Sequence, residues 1–236
     1  MLIEIDNKIW VAEQPLKFFG LEVGARMTLI RLRNDEIVVI SPINLDDITI
    51  NQINNIGNVT NIIAPNLFHY TFINNCKNLY PHAKLWAVPG LKAKQPEILV
   101  DETINIEENN LFNEIEYILI DGFQVFLGTE ISLVNECVFF HPDSKSLILT
   151  DTAFNFDDSF PLITQFTARI IGSYNQLRPS YLEKLATKDK QLVQKSVTKI
   201  LNWDFHRVIV AHGTIVEKDA KKQLKEGYEW FLNTPL

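Results

Sequence analysis

The spacing of apolar and polar positions divides the first third of the chain into short strands and two helices. Runs rich in β-branched residues predict the strands, and Asn34-Asp35 is typical of a hairpin turn between two of them. Over this third the predicted strands are 3–5, 9–12, 27–32, 37–40, 62–63 and 84–88, and the predicted helices are 45–56 and 70–80.

The second half repeats this plan. Its predicted strands are 115–120, 123–128, 131–140, 146–151 and 207–211, and its predicted helices are 184–201 and 218–232. Between them, residues 157–182 are rich in Phe, Tyr, Arg and Pro with weak periodicity, which indicates a lid-like segment. Runs of strands followed by helices, in two halves, predict an α/β fold with two facing mixed sheets and outer helices, an αββα sandwich. No long linker or repeat interrupts the chain, so residues 1–236 are predicted to form a single domain.

The composition and net charge of the chain limit the kinds of molecule that it is expected to bind. The chain has 236 residues, 46% of them hydrophobic, and a net charge of -7. This charge argues against binding to nucleic acid or to an acidic membrane surface. We find no signal peptide, and no apolar run approaches the roughly 20 residues of a membrane span. The prediction is a soluble cytoplasmic protein, of open oligomeric state, whose Cys76 and Cys137 are buried free thiols.

Three predicted strands end on a side chain that can bind a metal. Asp151 follows the apolar run 147–149, His212 follows 208–211, and His69 follows a strand that breaks into a loop. Two imidazoles and a carboxylate can hold a divalent metal, zinc or iron, with open positions for water or substrate. The sequence therefore predicts a site for one metal at His69, Asp151 and His212.

These motifs, in this order and at strand ends, resemble the metallo-β-lactamase superfamily. Thr150-Asp151-Thr152 matches the Gly-Asp-Thr of that family, and Ala211-His212-Gly213 matches its closing Gly-His-Gly. The resemblance covers nearly the whole chain and implies the αββα sandwich of metallo-β-lactamase type. Segments 172–179 and 203–205 further resemble a divergent group of uncharacterised bacterial and plant proteins.

The departures from the family pattern are not random. Placing the last His of the His-x-His-x-Asp-His loop on His69 leaves the other three ligand positions to Ala64, Asn66 and Phe68. No His precedes the bridging Asp in the stretch 131–135, and Ser41 stands where the family has an Asp. The resemblance therefore implies that the first metal site is lost, and that the second keeps His69, Asp151 and His212.

Three functions follow as alternatives. The leading one is a metal-dependent hydrolase with at most one metal, acting on a small, anionic substrate, in which a water at the open position loses a proton and becomes the nucleophile. The second is a non-catalytic ligand-binding protein in which both histidines hydrogen-bond to Asp151 without metal. The third is a mononuclear non-haem iron redox protein. No β-lactamase activity is expected, because that chemistry commonly shares a hydroxide between two metals.

Further residues are candidates for substrate binding. Asn66 precedes His69, and Arg169, Tyr174 and Arg178 lie in the lid-like segment, where an Arg is suited to grip an anionic group. The alternative is a packed lid with solvated Arg side chains. The other histidines are placed outside the site: His141 in a surface turn, His82 in an exposed loop, and His206 at the far end of the strand that leads to His212.

Overall fold

A computed structural model describes residues 1–107 and 109–236. Its strands are β1 (Leu2–Asp6), β2 (Ile9–Gln14), β3 (Lys17–Phe18), β4 (Leu21–Glu22), β5 (Ala25–Arg31), β6 (Glu36–Ile40), β7 (Asn58–Ala64), β8 (Lys84–Ala87), β9 (Glu102–Thr103), β10 (Asn110–Leu111), β11 (Ile115–Ile120), β12 (Gln124–Leu127), β13 (Glu130–Leu133), β14 (Glu136–His141), β15 (Ser146–Leu149) and β16 (Arg207–Val210). Its helices are α1 (Asp47–Ile56), α2 (Ile73–Leu79), α3 (Leu91–Lys94), α4 (Leu162–Ile171), α5 (Tyr181–Ala186), α6 (Lys190–Ile200) and α7 (Ala220–Leu232).

The strands form two mixed sheets and two small hairpins. The first sheet has the order β1-β2-β5-β6-β7-β8-β9, and the second has the order β10-β11-β14-β15-β16. Pairing is parallel from β6 to β9 and between β15 and β16, and antiparallel elsewhere in both sheets. The two separate hairpins are β3–β4 and β12–β13.

The alternation of side chains along β15 and β16 explains the layers. Ile148 and Ile209 pack with the first sheet, whereas their neighbours Leu147 and Val208 pack in a second cluster with α6 and α7. Because successive strand residues point to opposite faces, one face of this sheet meets the other sheet and its second face is covered by helices. On the far side, α1 and α2 contact β7. The αββα sandwich predicted from the sequence is confirmed.

Several predicted boundaries were wrong. The single helix predicted over 184–201 is two helices, α5 and α6, because the Asp189 side chain accepts hydrogen bonds from the Gln191 and Leu192 amides and starts a new helix. The strand predicted over 131–140 is divided between β13 and β14, and Asn135 between them has a positive φ of 48°. The lid-like segment 157–182 contains helix α4, whose apolar side chains face outward.

Buried and exposed side chains also test the predictions. Cys76 and Cys137 are buried free thiols, as expected, and His82 is exposed. The surface placement of His141 was wrong: it ends β14 fully buried, with Nδ1 at 2.8 Å from the Ser144 hydroxyl inside the turn. In the part of the chain that is described, no helix is long and apolar enough to cross a membrane.

Candidate metal centre

The three predicted ligands meet where strands of the two sheets end. Asp151 lies two residues after β15 and His212 two residues after β16, its parallel neighbour, while His69 lies in the loop after β7 of the other sheet. The carboxyl ends of parallel strands lie at one edge of a sheet, which brings side chains distant in sequence together there. Each of the three side chains is only slightly exposed.

The three potential ligand atoms form a nearly equilateral triangle. Nε2 of His69 lies 3.3 Å from Oδ1 of Asp151 and 3.3 Å from Nε2 of His212, and the His212 Nε2 to Asp151 Oδ1 distance is 3.4 Å. A tetrahedral zinc ion with ligands at about 2.0–2.1 Å separates those ligands by about 3.3–3.4 Å. The spacing therefore matches three corners of a tetrahedron around one metal ion.

The hydrogen bonds behind the imidazoles leave both Nε2 atoms available. Nδ1 of His212 lies 2.6 Å from the carbonyl oxygen of Gly24, which can only accept, so this nitrogen carries the proton. Nδ1 of His69 lies 2.6 Å from the Ser41 hydroxyl, at the position where the resemblance places an Asp. The Ser41 hydroxyl can accept from that nitrogen, and in the form in which both rings carry their proton on Nδ1, three lone pairs face one point and the donor set fits a divalent cation.

Electrostatics couple the three groups. Burial raises the pKa of Asp151, but the neighbouring His69 and His212 outweigh it and hold that pKa well below its usual range. Burial lowers the pKa of His69, and the charge of Asp151 reverses this effect, so the pKa of His69 is raised overall. Asp151 is therefore a carboxylate at neutral pH, and the site favours a positive charge beside it.

A buried carboxylate that we did not single out in the sequence supports the turn of Asp151. Glu136, at the start of β14, is fully buried and accepts from the Thr150 and Asp151 amides at 2.8 and 2.6 Å. The hydroxyls of Thr150 and Thr152 donate to it at 2.5 and 2.6 Å. In the sequence, the one indication of this role is that Glu136 is a charged residue at the start of an otherwise apolar strand. Glu136 thus holds the whole Thr-Asp-Thr turn.

Asn66 links this turn to His69. Its amide nitrogen lies 2.7 Å from Oδ2 of Asp151 and 3.1 Å from Glu136, and its amide oxygen accepts from the Phe68 and His69 backbone at 2.7 and 2.8 Å. The side chain is fully buried and uses both ends in these bonds. These bonds favour a positioning role for Asn66, and its role in substrate binding stays a prediction. Asn66 also occupies a position at which the resemblance places a ligand of the first metal site.

The turn that carries His212 is held by a second buried charge missed in the sequence. Arg26 of β5 donates to the carbonyls of Val210 and Gly213, and its guanidinium pairs with Glu13 at 2.7 Å. Gly213 has φ of 110°, and a Cβ at this position would lie 2.4 Å from the carbonyl oxygen of Asn155. Only glycine fits there, which gives the His-Gly pair a structural reason.

Two phenylalanines, Phe154 and Phe156, connect the predicted lid residue Tyr174 to the centre. The ring centroids of Phe154 and His212 are 6.4 Å apart, and Phe154 stacks on Phe156, which pairs with Tyr174 through the backbone. The Arg169 guanidinium lies 3.5 Å from the centroid of the Tyr174 ring and is exposed.

Arg178 has a different environment from Arg169. It donates to the carbonyl of Gly172, and its guanidinium lies 4.0 Å from the centroid of the Trp230 ring. Arg178 therefore packs the segment together, and Arg169 is the arginine that presents its charge to solvent.

Known protein families and solved structures were compared with this chain and its fold. A family model described as "Domain of unknown function (DUF4336)" matches residues 6–180. No curated protein matches the sequence.

Several solved structures, among them metallo-β-lactamases, are similar to almost the whole of this chain. The DIM-1 metallo-β-lactamase shares 12% identity at a TM-score of 0.67, with 98% of this chain and 96% of that chain covered. The mono-zinc form of FIM-1 from Pseudomonas aeruginosa shares 8% identity at a TM-score of 0.64, covering 98% and 96%. The Flv1 flavodiiron core from Synechocystis sp. PCC6803 shares 14% identity at a TM-score of 0.69, covering 99% of this chain and 60% of that chain. These likenesses confirm the metallo-β-lactamase fold.

Proposed function

We propose a function for this chain, which belongs to the DUF4336 family of domains of unknown function, from its fold and its three converging ligands. The proposal is a hydrolase that depends on one divalent metal, held by Nε2 of His69, Nε2 of His212 and the carboxylate of Asp151, and that acts on a small anionic molecule. The observation that carries it is the triangle of ligand atoms, with sides of 3.3, 3.3 and 3.4 Å.

A divalent metal bound there would polarise the scissile bond and lower the pKa of a coordinated water. The protein supplies the rest. The Gly24 carbonyl accepts from Nδ1 of His212, and the Ser41 hydroxyl can accept from Nδ1 of His69, which directs both Nε2 atoms inward. Asn66 and Glu136 hold the Asp151 carboxylate in place, so little reorganisation is needed on binding.

The preference for an anion rests on Arg169. It lies over the ring of Tyr174, whose backbone pairs with Phe156, and among the described residues it forms no ion pair. A planar guanidinium supported by the Tyr174 ring is suited to bind a carboxylate or phosphate. An Arg169→Gln variant should raise KM for an anionic substrate and leave metal binding unchanged.

Metal content tests the proposal most directly. We expect about one zinc or iron per chain in protein purified without chelator, loss of it in Asp151→Asn, and retention in the control Asp121→Asn, which removes an exposed carboxylate. Chelator should lower the Tm of the wild type and of the control but not that of Asp151→Asn. Metal-free wild type with no Tm response to added zinc or iron would overturn the proposal in favour of a non-catalytic binding protein.

The metal itself separates the remaining alternatives. Colourless zinc protein that cleaves a panel of small anionic esters would support the hydrolase. Coloured, oxygen-sensitive iron protein would support redox chemistry instead. Rapid nitrocefin turnover by the metal-loaded protein would contradict the expectation of no β-lactamase activity.

A further inference from the structure

Helix α4 presents its large apolar side chains to solvent, whereas two of its polar side chains are buried against the protein. Thr164, Gln165 and Ala168 are its buried residues. The side chains on its outer face, together with the two aromatics at the tip of the β3–β4 hairpin, are between 55% and 82% exposed. We name these residues the α4 face: Phe18, Phe19, Leu162, Ile163, Phe166 and Ile170. A surface helix of a monomer normally shows the reverse arrangement.

The two parts of the α4 face are joined. The hydroxyl of Thr164 donates to the carbonyl of Glu22 at 3.0 Å, which fixes the helix against the hairpin. In the hairpin, Phe18 and Phe19 contact each other edge to face with centroids 4.6 Å apart. The helix and the hairpin that carry the six side chains are therefore adjacent.

The area of this surface decides what it is suited for. A large apolar side chain carries on the order of 200 Å², so the exposed fractions of these six residues together leave on the order of 800 Å² of apolar surface. The largest apolar patch of a typical monomer is about 300–600 Å². A standard protein interface buries about 800 Å² on each partner. The α4 face alone is thus large enough for a stable interface.

We propose that the α4 face is covered by a second copy of this chain, in a two-fold symmetric homodimer. Charged residues of both signs accompany it, as a self-complementary interface requires: Arg169 lies on α4, Lys17 and Glu22 pair across the hairpin, and the Asp158 carbonyl accepts from Gln165 of α4. A membrane surface would instead favour a border of basic residues, and the net charge of -7 opposes binding to anionic lipid. The chain continues from this hairpin to Gly24, whose carbonyl accepts from Nδ1 of His212, so this segment connects the α4 face to the candidate metal centre.

Light scattering coupled to size exclusion tests this inference, and it does not depend on the metal. The 27.2 kDa chain should elute at twice that mass at micromolar concentration. The variants Leu162→Glu and Phe166→Glu should be monomers. Leu99→Glu is the matched control: Leu99 is 81% exposed, against 82% for Leu162, and lies outside the α4 face, so this variant should remain a dimer. Circular dichroism and Tm establish that each variant is folded.

The contrary results are equally defined. A wild type that stays monomeric up to 100 μM would overturn the proposal, and its binding to neutral phosphatidylcholine vesicles would assign the α4 face to lipid instead. A dimer that persists in both α4 variants would also overturn it, because the interface would then lie elsewhere.

Discussion

Replacing Glu136 by alanine tests how the fold supports the candidate centre. The carboxylate is fully buried and accepts from two backbone amides and two hydroxyls of the Thr-Asp-Thr turn. In Glu136→Ala the hydroxyls can rotate to other acceptors, but the amides of Thr150 and Asp151 cannot.

The structure sets the size of the effect. A buried donor without a partner costs about 1–3 kcal/mol, so two stranded amides should lower the free energy of unfolding by about 2–6 kcal/mol. Glu136→Gln keeps the volume and one acceptor oxygen, so a smaller loss of about 1.5–3 kcal/mol is expected. Against a total stability of about 5–15 kcal/mol, both losses are measurable.

Urea unfolding of the metal-free protein, followed by circular dichroism, gives these energies. A parallel zinc titration against a chromophoric chelator should show metal affinity reduced about 10–100-fold in Glu136→Gln, because Asp151 loses its support. Glu130→Ala removes an exposed carboxylate and serves as the control. A stability within 1 kcal/mol of wild type in Glu136→Ala, with unchanged zinc affinity, would refute the role we assign to this residue.

Three further predictions follow from single contacts. Ser41→Ala removes the hydroxyl that lies 2.6 Å from Nδ1 of His69, so it should weaken zinc binding about 10–100-fold and change the Tm little. Unchanged zinc affinity would contradict this. Gly213→Ala places a Cβ 2.4 Å from the Asn155 carbonyl and should lower stability by more than about 1 kcal/mol, and a wild-type Tm would show that the turn adjusts freely. Burial raises the pKa of Cys76 to about 12, and it raises the pKa of Cys137 as well. Neither thiol should therefore react with Ellman's reagent at pH 8 until the protein unfolds, and rapid labelling of the native protein would contradict this.

Local pattern was enough for most strands and for the three ligands. The β-branched and apolar runs before Asp151 and His212 predict strands from only a few residues of sequence. In the structure both side chains do follow strands, β15 and β16. The fold followed as well, because the order of strands and helices allows few ways to bury the apolar faces. Helix boundaries near residue 187 were wrong because a side-chain cap, not apolar spacing, decides where α6 begins.

The support of the candidate centre was not readable from the sequence. Glu136 and Arg26 are charged residues in apolar strands, and each supports a turn that another segment forms. Glu136 accepts from the Asp151 amide, 15 residues away, and Arg26 donates to the Val210 carbonyl, 184 residues away. Asn66 was predicted to bind substrate. Only the three-dimensional arrangement shows that its amide nitrogen donates hydrogen bonds to Asp151 and Glu136.

What the sequence determined by itself is therefore most of the strands and the identity of the candidate ligands that follow them. Tertiary structure alone decided the 3.3 and 3.4 Å spacing of those side chains, the hydrogen bond behind the His212 ring, and the outward apolar face of α4. The physical reason is that strand and helix patterns are local properties of the chain. Distances between ligands, hydrogen-bond partners and exposure depend on packing between segments far apart in sequence.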